Sequence, residues 1–342
     1  MDIRNKTRQS GLSIVEMMIS ITIGLIILAG LTSIFVSNSR ARTEIERANR
    51  QIENGRHALQ LLSDDVMLAG YYAEFDPSTL TTPGTLIDPC VTSLVGLRDG
   101  LPLHVQGYDN ASTIPSCLSD VKPGTDILVI RRASTCEAGI GDCDPVAANA
   151  LPYFQASLCS SPTELNFVIV DNSSFPDHFY KLDTNPASLT LHKRDCATVA
   201  ALHRYRTHIY FIANNNNPGD GIPTLKRAEL STGPAFTIVP LVDGIEDLQL
   251  QYGIDSPVVD GAPDSYSAAP ATVGDWRGVV SVRINLLARN TEATSGYSNT
   301  KIFTLGYDAS GAPITVGPFP DSFKRHAYQS EVRINNAAGR NL

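Results

Sequence analysis

Few side chains in this 342-residue sequence are placed to do chemistry, and the one most out of place is Glu16. It is the only charged residue in residues 12–36, LSIVEMMISITIGLIILAGLTSIFV. A carboxylate inside such a run costs roughly 2.5–3.5 kcal/mol at mid-bilayer and less near the interface, so it calls for a partner. The other candidates are six cysteines, Cys90, Cys117, Cys136, Cys143, Cys159 and Cys196, all beyond that run. Their even number and the lack of any Cys-x-x-Cys suit disulfides in an oxidising compartment better than zinc. Of about fifteen possible connectivities, the expected set is Cys136–Cys143, closing a short loop with Gly139 and Gly141, then Cys159–Cys196 and Cys90–Cys117. No phosphate-binding loop, nucleophile elbow, zinc-protease helix or dinucleotide fingerprint is present, so neither an enzyme nor a cofactor or metal site is expected. His203 and His208 stand five apart, a poor metal spacing. The acidic stretches at Asp142/Asp144 and 243–247 lack the calcium-loop pattern and read as solvated loops. Arg131-Arg132 reads as part of a structural ion pair.

Glu16 must sit on a helix. The 25 residues 12–36 span about 37 Å at 1.5 Å per residue, enough for a hydrocarbon core of about 30 Å. Arg4, Lys6 and Arg8 precede the run against one acid, Asp2, which predicts a cytoplasmic N-terminus and a C-terminal bulk across the membrane. A secretory signal would have a much shorter apolar region. From residue 39 to about 73 there is no proline, and Gly55 is the one interior glycine before Gly70. Ile45, Ile52, Leu59 and Val66 recur every seven residues, with Ala48, Leu62 and Ala69 on the same stripe and Glu46, Arg50, Glu53, Arg56, Gln60 and Ser63 opposite. That pattern predicts an amphipathic helix laid on a soluble domain, with Gly55 allowing close approach to a sheet.

Beyond residue 75 the pattern turns to strands. Residues 126–130, 208–212 and 224–229 are strand-like, with a mobile hairpin connection expected at 214–221. Alternation at Leu248/Leu250/Tyr252, at Val280/Val282/Ile284/Leu286 and at Tyr328/Ser330/Val332/Ile334 predicts half-buried antiparallel strands. Segments 75–125 and 133–200 read as loop-rich insertions stapled by disulfides. The fold class is α+β, a long helix packed on one or two antiparallel sheets. A net charge of −8 argues against nucleic-acid binding, which needs a Lys/Arg excess.

Ser10-Gly11 followed by Leu12-Ser13-Ile14-Val15-Glu16-Met17 resembles the prepilin motif. The resemblance implies cleavage by a prepilin peptidase after Gly11, N-methylation of Leu12, and Glu16 as the carboxylate that sets register in assembly. Leu12 stands where Phe is commoner, and the helix-kinking proline of major pilins is absent. LLSDDVMLAGYY, TDILVIRRAST, YFQASLC, HIYFIANNNN, LVDGIEDLQLQYGID and WRGVVSVRINLLAR, in that order, resemble PilW-type minor pilins. The last two also resemble the J-type pseudopilin of type II secretion. The implied organisation is a leader at 1–11, a membrane and filament-core helix at 12–38, its amphipathic continuation at 39–73 and a β-rich head at 74–342. The implied function is that of a minor pilin in a tip or initiation complex that primes pilus assembly. The alternatives are a J-type pseudopilin or a bitopic membrane protein with a periplasmic binding or adhesive head. Implied partners are other minor pilins and the major pilin through the N-terminal helix, the prepilin peptidase and the bacterial inner membrane. The head would lie in the periplasm before assembly and at the pilus tip or cell surface after it.

Overall fold

A computed structural model describes residues 11, 13–147, 151–161, 179–231 and 235–340. The chain divides into two compact units, Met1–Asn49 and Arg50–Leu342. One helix, α1 (Ile14–Met67), contributes to both. In its first half the hydroxyls of Ser20, Thr22 and Thr32 donate to the carbonyls of Glu16, Met18 and Leu28 four residues back, so these polar groups are satisfied within the helix itself.

The helix ends at Met67, short of the expected residue 73. Gly70, at φ +71°, turns the chain aside, and its N–H donates to the Arg131 carbonyl at 3.0 Å. Tyr72 and Phe75 then enter a separate aromatic core with Phe154 and Tyr205. The buried seam of α1 keeps Gly55, Leu62 and Val66 of the expected stripe but turns away from Ile45 and Ile52, which are 60% and 40% exposed, and takes in Gln51, Ala58 and Asp65 instead. Close approach decides the face. A Cβ at Gly55 would run into the Tyr328 ring, so this contact admits only a glycine, and Gln51 reaches across to donate to the carbonyls of Ala288 and Lys324 at 2.8 and 3.0 Å.

Two main sheets lie against this seam, and a two-stranded ribbon packs on one of them; all are antiparallel. The seven-stranded sheet joins β1 (Val105–Tyr108), β2 (Ile127–Glu137), β3 (Tyr153–Ser157), β4 (Phe179–Asp183), β5 (His203–Ala213), β6 (Thr224–Ser231) and β7 (Ala235–Asp243). Its path runs β1-β2-β5-β3-β4, with β6 and β7 added on β5. The four-stranded sheet, in the order β13-β10-β8-β9, uses β8 (Ile245–Ile254), β9 (Ser265–Ser267), β10 (Val279–Arg289) and β13 (Arg325–Arg333). A ribbon is formed by β11 (Phe303–Tyr307) and β12 (Pro313–Val316). Among the described residues the short α-helices are α2 (Leu94–Asp99), α3 (Val273–Arg277) and α4 (Asn335–Arg340).

One core holds the α1 seam together with Leu128, Ile130, Tyr210 and Ile212 of one sheet and Leu248, Leu250, Ile284 and Leu286 of the other. The apolar rows of β8 and β10 face it as their alternation requires. Their polar rows are not solvated, however: Gln249, Gln251, Ser281 and Asn285 are buried. The ribbon covers them, with Gly306 directly against Asn285 and Gln251. Segments 75–125 and 133–200 contain strands β1, β3 and β4 as well as loops. The disulfides are Cys90–Cys117, Cys136–Cys143 and Cys159–Cys196. The 214–221 connection is held by hydrogen bonds from Asn214 and Asn215 to Asp120, and from the backbone of Asn216, Asn217 and Ile222 to Asp220. The far end of the chain returns to the end of α1: Asn336 donates to Ala69 O at 3.3 Å, and Arg340 donates to Gly70 O at 2.9 Å and pairs with Asp76 at 3.1 Å.

Candidate functional site

The site begins at the start of α1. Ser13 precedes the first turn, and its N–H donates to the Glu16 carboxylate at 3.0 Å. Glu16 thus satisfies one of the orphan donors at its own helix N-terminus, where the helix dipole also favours a negative charge. Among the described residues this amide is the carboxylate's one donor, a weak hold that a cation could replace. Around it the large apolar side chains from Ile14 to Val36 stand open, from 80% exposed at Ile14 to 40% at Val36. By length and composition this helix can cross a membrane. Gly11 is exposed. Leu12 and residues 1–10, which carry the expected methylation site and leader, lie outside the described residues.

A second carboxylate on the same helix was not singled out in the sequence. Asp65 is buried, and three side chains of the seven-stranded sheet converge on it. Arg132 Nε lies at 2.6 Å, His208 Nδ1 at 2.6 Å and Tyr210 Oη at 2.8 Å. Burial works against its charge, but His208 and Arg132 outweigh burial and hold the carboxyl well below the usual carboxylate range. Burial pushes the His208 pKa down, against the pull of Asp65. Its Nε2 is buried without a partner, which fits a neutral ring donating from Nδ1. The hub ties α1 to β2 and β5, and it is structural. A signal for it existed: Asp65 lies on the heptad spacing of Gln51 and Ala58, a charge on the seam.

The remaining polar candidates are dispersed. His203, on the other face of β5, meets the Ser134 carbonyl at 2.8 Å. Arg132 forms the expected ion pair, whereas Arg131 is buried on the Leu103 carbonyl and Gln106 Oε1, both at 3.0 Å. Asp144 pairs with Arg204 and Arg206 at 3.3 and 2.8 Å. The acidic stretch 243–247 is not a solvated loop. Glu246 and Asp247 are buried on β8, Glu246 against Arg325, Arg289 and Lys122. Burial pushes Asp247 up to about 6. Asp126, also buried and faced by Asp109 and Asp247, is pushed up to about 8, against the N–H groups of Asn110 and Leu250 that it accepts. Among the described residues no group of three His, Cys, Asp or Glu side chains is arranged to hold a metal ion.

Comparison with known proteins bears on the two ends of this description. Residues 6–32 match the prokaryotic N-terminal methylation motif, and residues 209–336 match the family described as type IV pilus-assembly protein W. The second match runs from within β5 to the start of α4. Among solved structures the chain is similar to a type IV-like pilin from Thermus thermophilus, with 13% identity, covering 64% of this chain and 80% of that one, at a TM-score of 0.31. No curated protein sequence matches.

Proposed function

We propose that this chain, a type IV minor pilin by its methylation motif and its PilW-type domain, is built into the tip or initiation complex of a pilus and primes assembly there. Residues 1–11 act as the leader, removed by a prepilin peptidase between Gly11 and Leu12, and the new amine on Leu12 is methylated. Residues 12–38 cross the inner membrane with the N-terminus cytoplasmic, then enter the filament core. Residues 39–73 continue as the amphipathic segment, and residues 74–342 form a head that is periplasmic before assembly and at the pilus tip afterwards.

One observation carries this reading: residues 14–36 of α1 are apolar and exposed, and the lone charge among them, Glu16, is held by a single backbone amide among the described residues. In a low-dielectric helix bundle an unpaired amine and an unpaired carboxylate are each expensive, and pairing them across subunits removes both costs. The amine of a subunit already in place is therefore the natural partner of an incoming Glu16. The tip assignment is supported by bulk, since about 270 residues follow Glu74 and two segments carry added strands and disulfides. Repeated along a shaft such heads would crowd one another; at a tip they would not.

The test is mass spectrometry of sheared filaments. The expected result is protein beginning at methylated Leu12, at a few copies per filament whatever the filament length. Residues 1–11 retained on protein that never enters filaments would point to a bitopic membrane protein. A constant ratio to the major pilin would refute the tip assignment.

A further inference from the structure

Away from the helix start and the Asp65 hub, buried oxygens without partners gather where β1 meets β8. Strand β1 sets residues 105, 107 and 109 on one face, and Val105 there belongs to the core around α1. Gly107 has no side chain, and Tyr252 of β8 uses the space: a Cβ at Gly107 would overlap the Tyr252 hydroxyl. That hydroxyl is therefore aimed at β1, beside Asp109. Tyr252 is 1% exposed, and its Oη has no hydrogen-bond partner among the described residues. Neither has the buried Oδ1 of Asp109. Asp126, buried just before β2, completes the group. Its Oδ1 accepts the N–H of Asn110 at 2.8 Å and its Oδ2 that of Leu250 at 2.7 Å, so it joins the turn after β1 to β8. The charges acting on Tyr252 are those of Asp126 and Asp109, and the charges acting on Asp126 are those of Asp109 and Asp247. Lys122 is turned to the Glu246 carbonyl at 2.8 Å. Two carboxylates and a phenol oxygen thus share one buried place, and the donors that reach Asp126 are neutral N–H groups. Such a place is costly until a positive charge enters it.

We propose that Asp109 Oδ1, the Asp126 carboxylate and Tyr252 Oη line a binding site for one hard divalent cation, with Ca²⁺ as the fitting ion. Every donor is an oxygen, which selects a hard cation over zinc or copper. The two carboxylates match a divalent charge. With two acids instead of three, the site relies on the Tyr252 oxygen and on water for the rest of its shell. Such an irregular set suits Ca²⁺, whereas Mg²⁺ demands a near-ideal octahedron. Asp109 is half-buried and Asn110 is exposed, so the ion and its waters enter from that side. Few protein ligands make a weak site, with a Kd on the order of 0.1–1 mM as in extracellular modules. Bound there, the ion ties β1 of the seven-stranded sheet to β8 of the four-stranded one. This inference stands apart from the filament reading above.

The test uses the full-length protein in detergent, stripped with a chelator and titrated with CaCl₂ or MgCl₂ while the heat of binding and the melting temperature are read. Ca²⁺ should bind as a single equivalent and raise the melting temperature, with Mg²⁺ about tenfold weaker. Asp109→Asn keeps the size of the side chain and should weaken Ca²⁺ about tenfold. Tyr252→Phe keeps the ring against Trp276 and removes only the oxygen, so it should fold and bind Ca²⁺ several-fold more weakly. No binding and no stabilisation at about 10 mM Ca²⁺ overturns the cation and leaves these oxygens to a shared proton. Wild-type affinity in Asp109→Asn places the ion elsewhere and overturns the site. Should that variant not fold, Tyr252→Phe decides in the same way.

Discussion

The two halves of α1 each carry one carboxylate in an otherwise unfavourable place, and they treat it in opposite ways. Asp65 is buried and saturated by Arg132, His208 and Tyr210, all from the same head. Glu16 is exposed and takes one N–H from its own helix. The seam that carries Asp65 combines Gln51, Gly55 and Ala58 with Leu62 and Val66 and is buried on a surface already present, whereas the stretch around Glu16 is bulky and open. The partners of Asp65 make it part of the folded head, whereas the role in assembly proposed for Glu16 requires that it stay open to exchange.

The sharpest way to break this comparison is Asp65→Ala. It leaves half-buried Arg132 and buried His208 without their carboxylate, and should cost about 3–5 kcal/mol in urea unfolding of the full-length protein in detergent; a loss below about 1 kcal/mol would mean that the hub is not a buried pair in effect. The next effect comes from pH. His104 lies beneath Gly70 at the end of α1, and burial lowers its pKa from 6.5 to about 4. Its stabilising contribution is complete above 6.5 and lost as pH falls towards 4, on the order of 3 kcal/mol. Buried His208 acts in the same direction. Asp126 runs the other way: its pKa is raised, so its contribution is full at acid pH and shrinks as pH rises through about 8. Between pH 4 and 8 these contributions oppose one another, so the check is a difference: the melting temperature of His104→Gln relative to the wild type should rise as pH falls from 6.5 towards 4.

Smaller again is Gly55→Ala. The new methyl gains about 1 kcal/mol in helix propensity but meets the Tyr328 ring, for a net loss of about 1–2 kcal/mol. In a Tyr328→Ala background the same change should turn neutral or favourable, read in the same unfolding assay. At the small end, Glu16→Leu should shift unfolding of the head by less than about 0.5 kcal/mol while lowering recovery in sheared filaments. Loss of head stability in this variant would erase the distinction between the two carboxylates.

Much of the α+β fold was legible because bulk and period coincide in it. The apolar run at 12–36 announces itself by composition, and β8, β10 and β13 by strict alternation of large and small or polar residues. Legibility failed where packing favours small or polar groups over bulk. Gly55 was legible as a point of close approach, and it does meet the Tyr328 ring; Gln51 and Ala58 were not, because the heptad of Ile45 and Ile52 stood out over them. The same bias hid Asp65, which reads as one of two aspartates on a polar face until the seam is known. The polar rows of β8 and β10 read as solvent-facing because nothing local marks residues 303–316 as their cover. In the 133–200 segment, β3 is buried on both faces and so shows no alternation.

The contacts of α4 with the end of α1 bear on the order in which the head closes. Asn336 and Arg340 meet Leu68, Ala69 and Gly70 across about 270 positions of chain. A segment made late in synthesis is therefore the one that closes a segment made early. Until residues 335–340 are in place, the carbonyls at the end of α1 lack these partners. Removing residues 335–340 should leave a head that added protease trims faster than the wild type, so resistance to proteolysis in this head is tied to the arrival of α4.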